Sequence, residues 1–256
     1  MIDCTIDGHI ATVTLANPPA NAFTAEGLLR LAALVDELNR NREVRALIVT
    51  GQGDKFFSGG ADLKAFADGD KARARLLAQR FGSAFEALQN ARPVVIAAIN
   101  GYAMGGGLEC ALCCDFRIAD QRATMALPEP AVGLLPCGGG TQTLPWLVGE
   151  GWAKRMILAN ERIDAATALK IGLVEQVVAA GDAPKSAAAL AARVLAASPR
   201  ALEYCKALIH EPRLGTPRSA ALCRERELFV DLFDGADQLE GVNAFLEKRK
   251  PRWTGA

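Results

Sequence analysis

Asn100-Gly-Tyr-Ala-Met-Gly-Gly-Gly-Leu-Glu109 is the stretch from which the rest of the chain is read. Pro93-Val-Val-Ile-Ala-Ala-Ile99 leads into it, and Cys110-Ala-Leu-Cys-Cys114 leaves it. The run before is short and β-branched, which predicts a buried strand. The segment after suits a buried helix. Three consecutive glycines between them allow the backbone to approach a ligand with no side chain in the way. A helix beginning near Gly106 would leave its first N–H groups without intrahelical partners, facing outward and favouring negative charge. Three residues on, among apolar neighbours, stands the carboxylate of Glu109. Anion-seeking N–H groups beside a buried acid point to chemistry in which an oxyanion forms while a proton moves.

Composition narrows the classes. The chain has 256 residues, half of them hydrophobic, enough to bury a large core. Twenty-nine basic residues balance twenty-nine acidic ones, so no net charge advertises nucleic acid or a membrane surface. The first seven residues carry two acids and no apolar run, which predicts no secretory signal. No unbroken apolar run approaches the ~20 residues that span a bilayer. We expect a soluble, cytoplasmic protein. Seven scattered cysteines read as reduced thiols rather than a disulfide framework. Cys110, Cys113 and Cys114 lack a second Cys/His pair at zinc spacing, so no metal site is expected. The only histidines, His9 and His210, are too few and too distant for a histidine-dependent hydrolase.

Outward from the glycine stretch, the N-terminal side predicts strands at 2–6 and 9–15 joined at Asp7-Gly8, a helix capped by Thr24 and running to Arg40, and a buried strand at 46–50. Phe56-Phe-Ser-Gly-Gly-Ala-Asp-Leu63 is a second glycine-rich site, either a close backbone approach or a plain turn, with Ala61-Asp62 able to open a helical turn. Lys71 to Gln89 follows as a helix with Leu76, Leu77, Phe81, Phe85 and Leu88 inward. On the C-terminal side come short strands at 116–119 and 123–126. Glu129 then sits between Pro128 and Pro130, a stiffened position that fits a placed carboxylate or an ordinary surface turn. Helices follow at 141–147 and 152–159, a strand start at Ile163-Asp164, a helix at 165–170, and a strand at 173–178. From Pro184 everything reads as helical, at about 184–197, 199–210, 217–233 and 236–248. Strands alternating with helices early and helices alone at the end predict one α/β unit with a helical C-terminal part. We divide it into a core at 1–195 and a helical region at 196–256.

Two glycine-rich backbone sites, each after a core strand, and two carboxylates downstream of the second form a set that resembles the crotonase superfamily (enoyl-CoA hydratase/isomerase). The resemblance covers nearly the whole chain. It runs through Asn17-Pro-Pro-Ala-Asn-Ala22, Phe57-Ser-Gly-Gly-Ala-Asp-Leu63, Gly101 to Glu109, Pro128-Glu129, Gly138-Gly-Gly-Thr-Gln142, Gly172-Leu-Val174 and Glu240-Gly-Val-Asn-Ala-Phe-Leu-Glu-Lys-Arg249. It implies a ββα-spiral core with a helical trimerisation region, homotrimers that often pair into hexamers, and acyl-coenzyme A thioesters as substrates. It implies no cofactor beyond the coenzyme A that the substrate carries.

By resemblance, the N–H groups of Ala61 and Gly106 form an oxyanion hole for the thioester carbonyl. Glu109 and Glu129 match the family's paired hydratase glutamates, with Glu109 activating water and Glu129 delivering a proton to Cα. That makes a lyase of the kind used in fatty acid beta-oxidation. Coenzyme A contacts are implied for Ala20, Ala22, Ala61, Asp62, Leu63 and Lys64, and for Phe245 and Lys248 on the last helix, which in the family reach a neighbouring subunit. Leu134 lies where the acyl pocket is shaped. The chain departs from the pattern at Pro18-Pro19, where the family is more basic, and carries a bulky Trp146 near the pocket segment.

Other readings stay open. An isomerase on the same fold needs one carboxylate at the Glu129 position. A dinucleotide-binding oxidoreductase would need a third glycine or alanine where Cys110 stands, and no P-loop occurs. A non-catalytic acyl-CoA-binding protein would have no need of both glutamates.

Overall fold

A computed structural model of the chain describes residues 1–255. Ten strands and nine helices arrange themselves around two sheets among these residues. β1 (Ile2–Asp7) and β2 (Ile10–Leu15) form the expected hairpin, pairing Ile2 with Leu15. β2 then runs parallel to β3 (Ala46–Gly51), and the order continues through β5 (Val94–Ile99), β7 (Phe116–Asp120) and β10 (Gln176–Val178). The smaller sheet holds β4 (Phe56–Ser58), β6 (Tyr102–Met104), β8 (Thr124–Ala126) and β9 (Ile163–Asp164).

The apolar runs of β3 and β5 are buried on both faces, as parallel strands require. Alternation splits them between two cores. Leu47, Val49, Val95, Ala97 and Ile99 join the larger core, with α1 (Ala25–Arg40), α2 (Lys71–Gln89) and α3 (Gly106–Leu112). Ala46, Ile48, Ile96 and Ala98 face the other way. They meet Ala183, Ala187 and Ala191 of α6 (Ala183–Val194), whose small side chains let the helix lie close to the sheet. Each fully buried Leu, Ile or Phe in these cores contributes about 1.5–3 kcal/mol of apolar burial.

Local signals set the helix ends. Thr24 Oγ1 accepts from the Gly27 N–H and starts α1; Asp70 Oδ1 accepts from Ala72 and Arg73 and starts α2. Gly105 (φ 52°) precedes α3, so the helix opens at Gly106 as expected. The sheets meet at backbone distance. A Cβ on Gly51 would stand 2.2 Å from Phe56 O, and one on Gly107 would stand 2.3 Å from Ser58 O. Asn100, buried where β5 ends, ties the crossing together: its Oδ1 accepts from the Gly51 N–H, and its Nδ2 donates to Gly51 O and Gly53 O.

The remaining chain is α4 (Gly140–Leu158), broken at Gly149, then α5 (Ala165–Lys170), α6, α7 (Pro199–His210), α8 (Arg218–Asp231) and α9 (Ala236–Leu246). Three expectations are adjusted. Leu76, foreseen facing inward on α2, is exposed. The two helices foreseen at 141–147 and 152–159 are one element kinked at Gly149 (φ 76°). The strand foreseen from Leu173 begins only at Gln176. Leu173 and Val174 still donate to Ala168 O, finishing the turn that Gly172 (φ 78°) closes, before the chain joins β7. α8, α9 and the 3-10 turn between them (Leu232–Asp234) leave Phe229, Val230, Phe233, Leu239, Val242, Phe245 and Leu246 exposed. Among the described residues no helix is long and apolar enough to cross a membrane.

Candidate active site

The segments that follow β4, β6 and β8, the residues just before β9, the start of α3 and Phe81 of α2 enclose a cavity of about 290 Å³. Gly59, Ala61, Leu63, Phe66 and Phe81 line one part of it, with Gly105, Gly106 and Glu109. Pro128, Glu129, Ala131, Val132, Leu134, Leu135 and Cys137 line another, with Asn160 and Arg162 at its edge.

Ala61 is fixed by the chain that passes it. Phe23 bridges to it: the Phe23 N–H donates to Gly60 O at 2.7 Å, and the Asp62 N–H donates to Phe23 O at 3.1 Å. Ser58 Oγ, fully buried, accepts from the Gly60 N–H and donates to Asn21 O. These bonds hold the peptide on both sides of Ala61 and leave its own N–H free. Gly106 is the first residue of α3, so its N–H has no helical partner either. Among the described residues neither N–H donates to any group of the chain. The two backbones touch: a Cβ on Gly60 would lie 3.1 Å from the Gly106 nitrogen.

Glu109 projects from the first turn of α3 and is 2% exposed. Its Oε1 accepts from the N–H groups of Gly138 and Gly140, each at 2.8 Å. Both glycines are needed as such, since a Cβ on either would come within 3.0 Å of a Glu109 oxygen. Burial pushes the Glu109 carboxyl above the usual range, and the two N–H donors offset part of that rise.

Glu129 opens a 3-10 turn (Glu129–Val132) that ends at Gly133, where φ is 76°. Its Oε2 is shut off from solvent, and no group among the described residues donates to it. Burial, with a further push from the Glu109 charge, raises this carboxyl to about 7. Gly105 has no side chain to block it: a Cβ there would stand 2.8 Å from Glu129 Oε1. The Cys137 thiol, facing both carboxylates at the cavity wall, is raised to about 11 by burial and by their charges.

Of the residues singled out from the sequence, Ala61, Leu63, Gly106, Glu109, Glu129 and Leu134 line this one cavity. Ala20 packs behind it, its O accepting from the Gly59 N–H, and Asp62 caps the short 3-10 turn Leu63–Phe66. Ala22 and the exposed Lys64 do not line the cavity. Phe245, 84% exposed, and Lys248 lie on and just after α9, outside the cavity of their own chain. Trp146 is exposed on α4 and does not enter the cavity.

Phe66, Phe81, Asn160 and Arg162 were not foreseen as site residues. Phe81 was legible as a core position, and its ring is set edge-on against Phe23 and Phe85 at 6.0 and 5.5 Å. Among the described residues no group of three or more His, Cys, Asp or Glu side chains is placed to hold a metal ion.

The sequence pattern of the family described as enoyl-CoA hydratase/isomerase matches residues 5–256. The chain belongs to this family. It shares the crotonase fold: DspI of Pseudomonas aeruginosa, whose structure is solved, superimposes with a TM-score of 0.96 at 63% identity, covering 98% of this chain and 96% of that one. A crotonyl-CoA hydratase of Syntrophomonas wolfei is 38% identical, covering 94% of this chain and 93% of its own length. A carnitinyl-CoA dehydratase of Salmonella typhi is 35% identical, covering 98% and 97%. The cavity described above is therefore the candidate active site of a crotonase-family enzyme.

Proposed function

We propose that the enzyme hydrates a 2-enoyl-CoA thioester to the 3-hydroxyacyl-CoA by syn addition of water, through an enolate held in an oxyanion hole. The observation that carries this reading is the pairing in one cavity of two free backbone N–H groups with two carboxylates of different character. The thioester oxygen sits between the N–H groups of Ala61 and Gly106, which stabilise it most when it gains negative charge.

Glu109, fixed by Gly138 and Gly140, presents its remaining oxygen Oε2 to the water and takes its proton as the water adds at Cβ. Glu129, raised to about 7, is half protonated near neutral pH and delivers a proton to Cα. Because the carboxyls share a cavity, they titrate as a pair. Reaction in reverse is dehydration, and the same groups exchange roles. The names of the relatives span both directions, hydratase and dehydratase, which supports this chemistry over a double-bond shift served by Glu129 alone.

The reading needs no cofactor, since coenzyme A arrives with the substrate. Leu63 and Leu134 contact the thioester in the cavity, while Ala20, Ala22, Asp62 and Lys64 form the surrounding coenzyme A contacts. The exposed apolar side chains of α8 and α9 support assembly into a homo-oligomer, a trimer or a hexamer. There Phe245 and Lys248 reach the nucleotide bound to a neighbouring subunit.

The test is hydration of crotonyl-CoA, followed as loss of the conjugated thioester absorbance. Wild type is run beside Glu109→Gln and Glu129→Gln, with folding checked for each. Turnover by wild type that both variants lose supports the two-glutamate mechanism. Full activity in the double variant sinks it. Binding of coenzyme A esters by a wild type that hydrates none of them redirects the reading to another crotonase-type reaction.

A further inference from the structure

Arg162 is the one cation lining the cavity among the described residues, and it forms no ion pair with the two carboxylates, Glu109 and Glu129, that share the lining. Its place follows from the strand it precedes. β9 pairs antiparallel with β8, matching Met125 with Ile163. Carrying that register back by one residue sets Arg162 beside Ala126, the last residue of β8, and on the face opposite Ile163, which is 2% exposed and in the core; Asn160 precedes the ladder. Asn160 and Arg162 both line the cavity. Asn160 adopts φ 53°, a left-handed conformation that asparagine tolerates.

Glu161, Asp164 and Glu109 are engaged elsewhere, whereas Glu129 Oε2 accepts from no group among the described residues. Glu161 takes a two-pronged bond from Arg155 Nε and Nη2 at 2.6 and 2.7 Å. Asp164 caps α5 through the Thr167 N–H at 2.8 Å. Glu109 accepts from Gly138 and Gly140, and Arg162 pairs with neither Glu109 nor Glu129. Among the described residues Arg162 makes no ion pair or hydrogen bond.

We propose that Arg162, with Asn160, forms a contact for an anionic oxygen group of the substrate, and so selects thioesters that bring such a group to this edge of the cavity. A guanidinium offers a planar, paired set of donors suited to a carboxylate or phosphate, and Asn160 adds an amide donor beside it. The anion is a carboxylate at the far end of the acyl group or a phosphate of coenzyme A; the chemistry of the contact is the same. The inference rests on the reading that the cavity takes an acyl-CoA, but not on the hydration step.

Binding tests it with unreactive saturated esters. Butyryl-CoA, glutaryl-CoA, adipyl-CoA and free coenzyme A are titrated calorimetrically into wild type, Arg162→Met and Arg162→Lys. A carboxylate contact predicts that Arg162→Met weakens glutaryl-CoA or adipyl-CoA relative to butyryl-CoA by about tenfold, with Arg162→Lys recovering part of the loss. A phosphate contact predicts that all four ligands, free coenzyme A included, weaken together by a similar factor. Affinities unchanged for every ligand overturn the proposal. Crotonyl-CoA turnover by wild type, measured alongside, separates the two readings: no turnover with an Arg162-dependent affinity removes the hydratase assignment and leaves this contact standing.

Discussion

Glu129→Gln is predicted to make the protein more stable while stopping its chemistry. The carboxyl rises from an ordinary value of 4.5 to about 7 because its burial disfavours the charged form. Each tenfold change in acidity corresponds to about 1.4 kcal/mol, so holding Glu129 charged in the folded state costs at most about 3.5 kcal/mol. Part of the side chain still meets solvent, and screening reduces this to about 1–2 kcal/mol.

The sign follows from proton uptake. Between the ordinary value and about 7 the folded state binds more protons than the unfolded one. Wild-type stability therefore falls across that window as pH rises, then levels off. A glutamine of the same shape carries no charge to bury. The assay is urea unfolding of both proteins from about pH 5 to about pH 9. The variant is expected to match wild type near pH 5 and to exceed it by about 1–2 kcal/mol above pH 7, or about 3–6 °C in Tm for a chain of this size. A gap that is the same at both ends of the range, or that favours wild type at high pH, refutes the account of Glu129 as a carboxyl held up by burial.

Three further outcomes are expected. Glu109→Gln keeps an oxygen to accept from Gly138 and Gly140, so circular dichroism is expected to be native while crotonyl-CoA hydration falls by at least about 10². Gly106→Pro removes one N–H from the cavity, and because its Cβ would stand 2.9 Å from Phe81 Cε1 the variant is compared only where circular dichroism is native; a loss of about 10²–10³ in kcat is expected from steady-state kinetics. Ser58→Ala leaves the Gly60 N–H without its acceptor in a fully buried place; thermal unfolding is expected to show a loss of about 1–3 kcal/mol, with a lower kcat because the Ala61 peptide loses a support.

The core strands and long helices were legible because their burial writes a period into the sequence: β3 and β5 as short β-branched runs, α1 and α2 as leucines and phenylalanines three and four apart. Half of the smaller sheet was not: β4 and β6 have three residues each, too few for a period to show, and hid in the glycine-rich stretches, whereas β8 and β9 were foreseen at 123–126 and Ile163-Asp164. The glutamates were legible because an acid in apolar surroundings and an acid between prolines are both unusual. Asn160 and Arg162 look like surface polarity in one dimension. Only the pairing of β9 with β8 brings their segment to the cavity, and that pairing joins residues nearly forty apart in sequence.

The crossing of the two sheets bears on how any substitution library of this protein is to be interpreted. Gly51 of β3 and Gly107 of α3 each press their Cα against a carbonyl of β4, so close that a single methyl group has nowhere to go. Neither backbone carbonyl can swing aside as a flexible side chain does. In a screen scored by activity alone, alanine at these two positions will be as silent as a change to a catalytic acid, although at Gly51 nothing is presented to the cavity. Scoring soluble yield together with turnover separates the two kinds of intolerance, and it keeps architecture from being mistaken for chemistry.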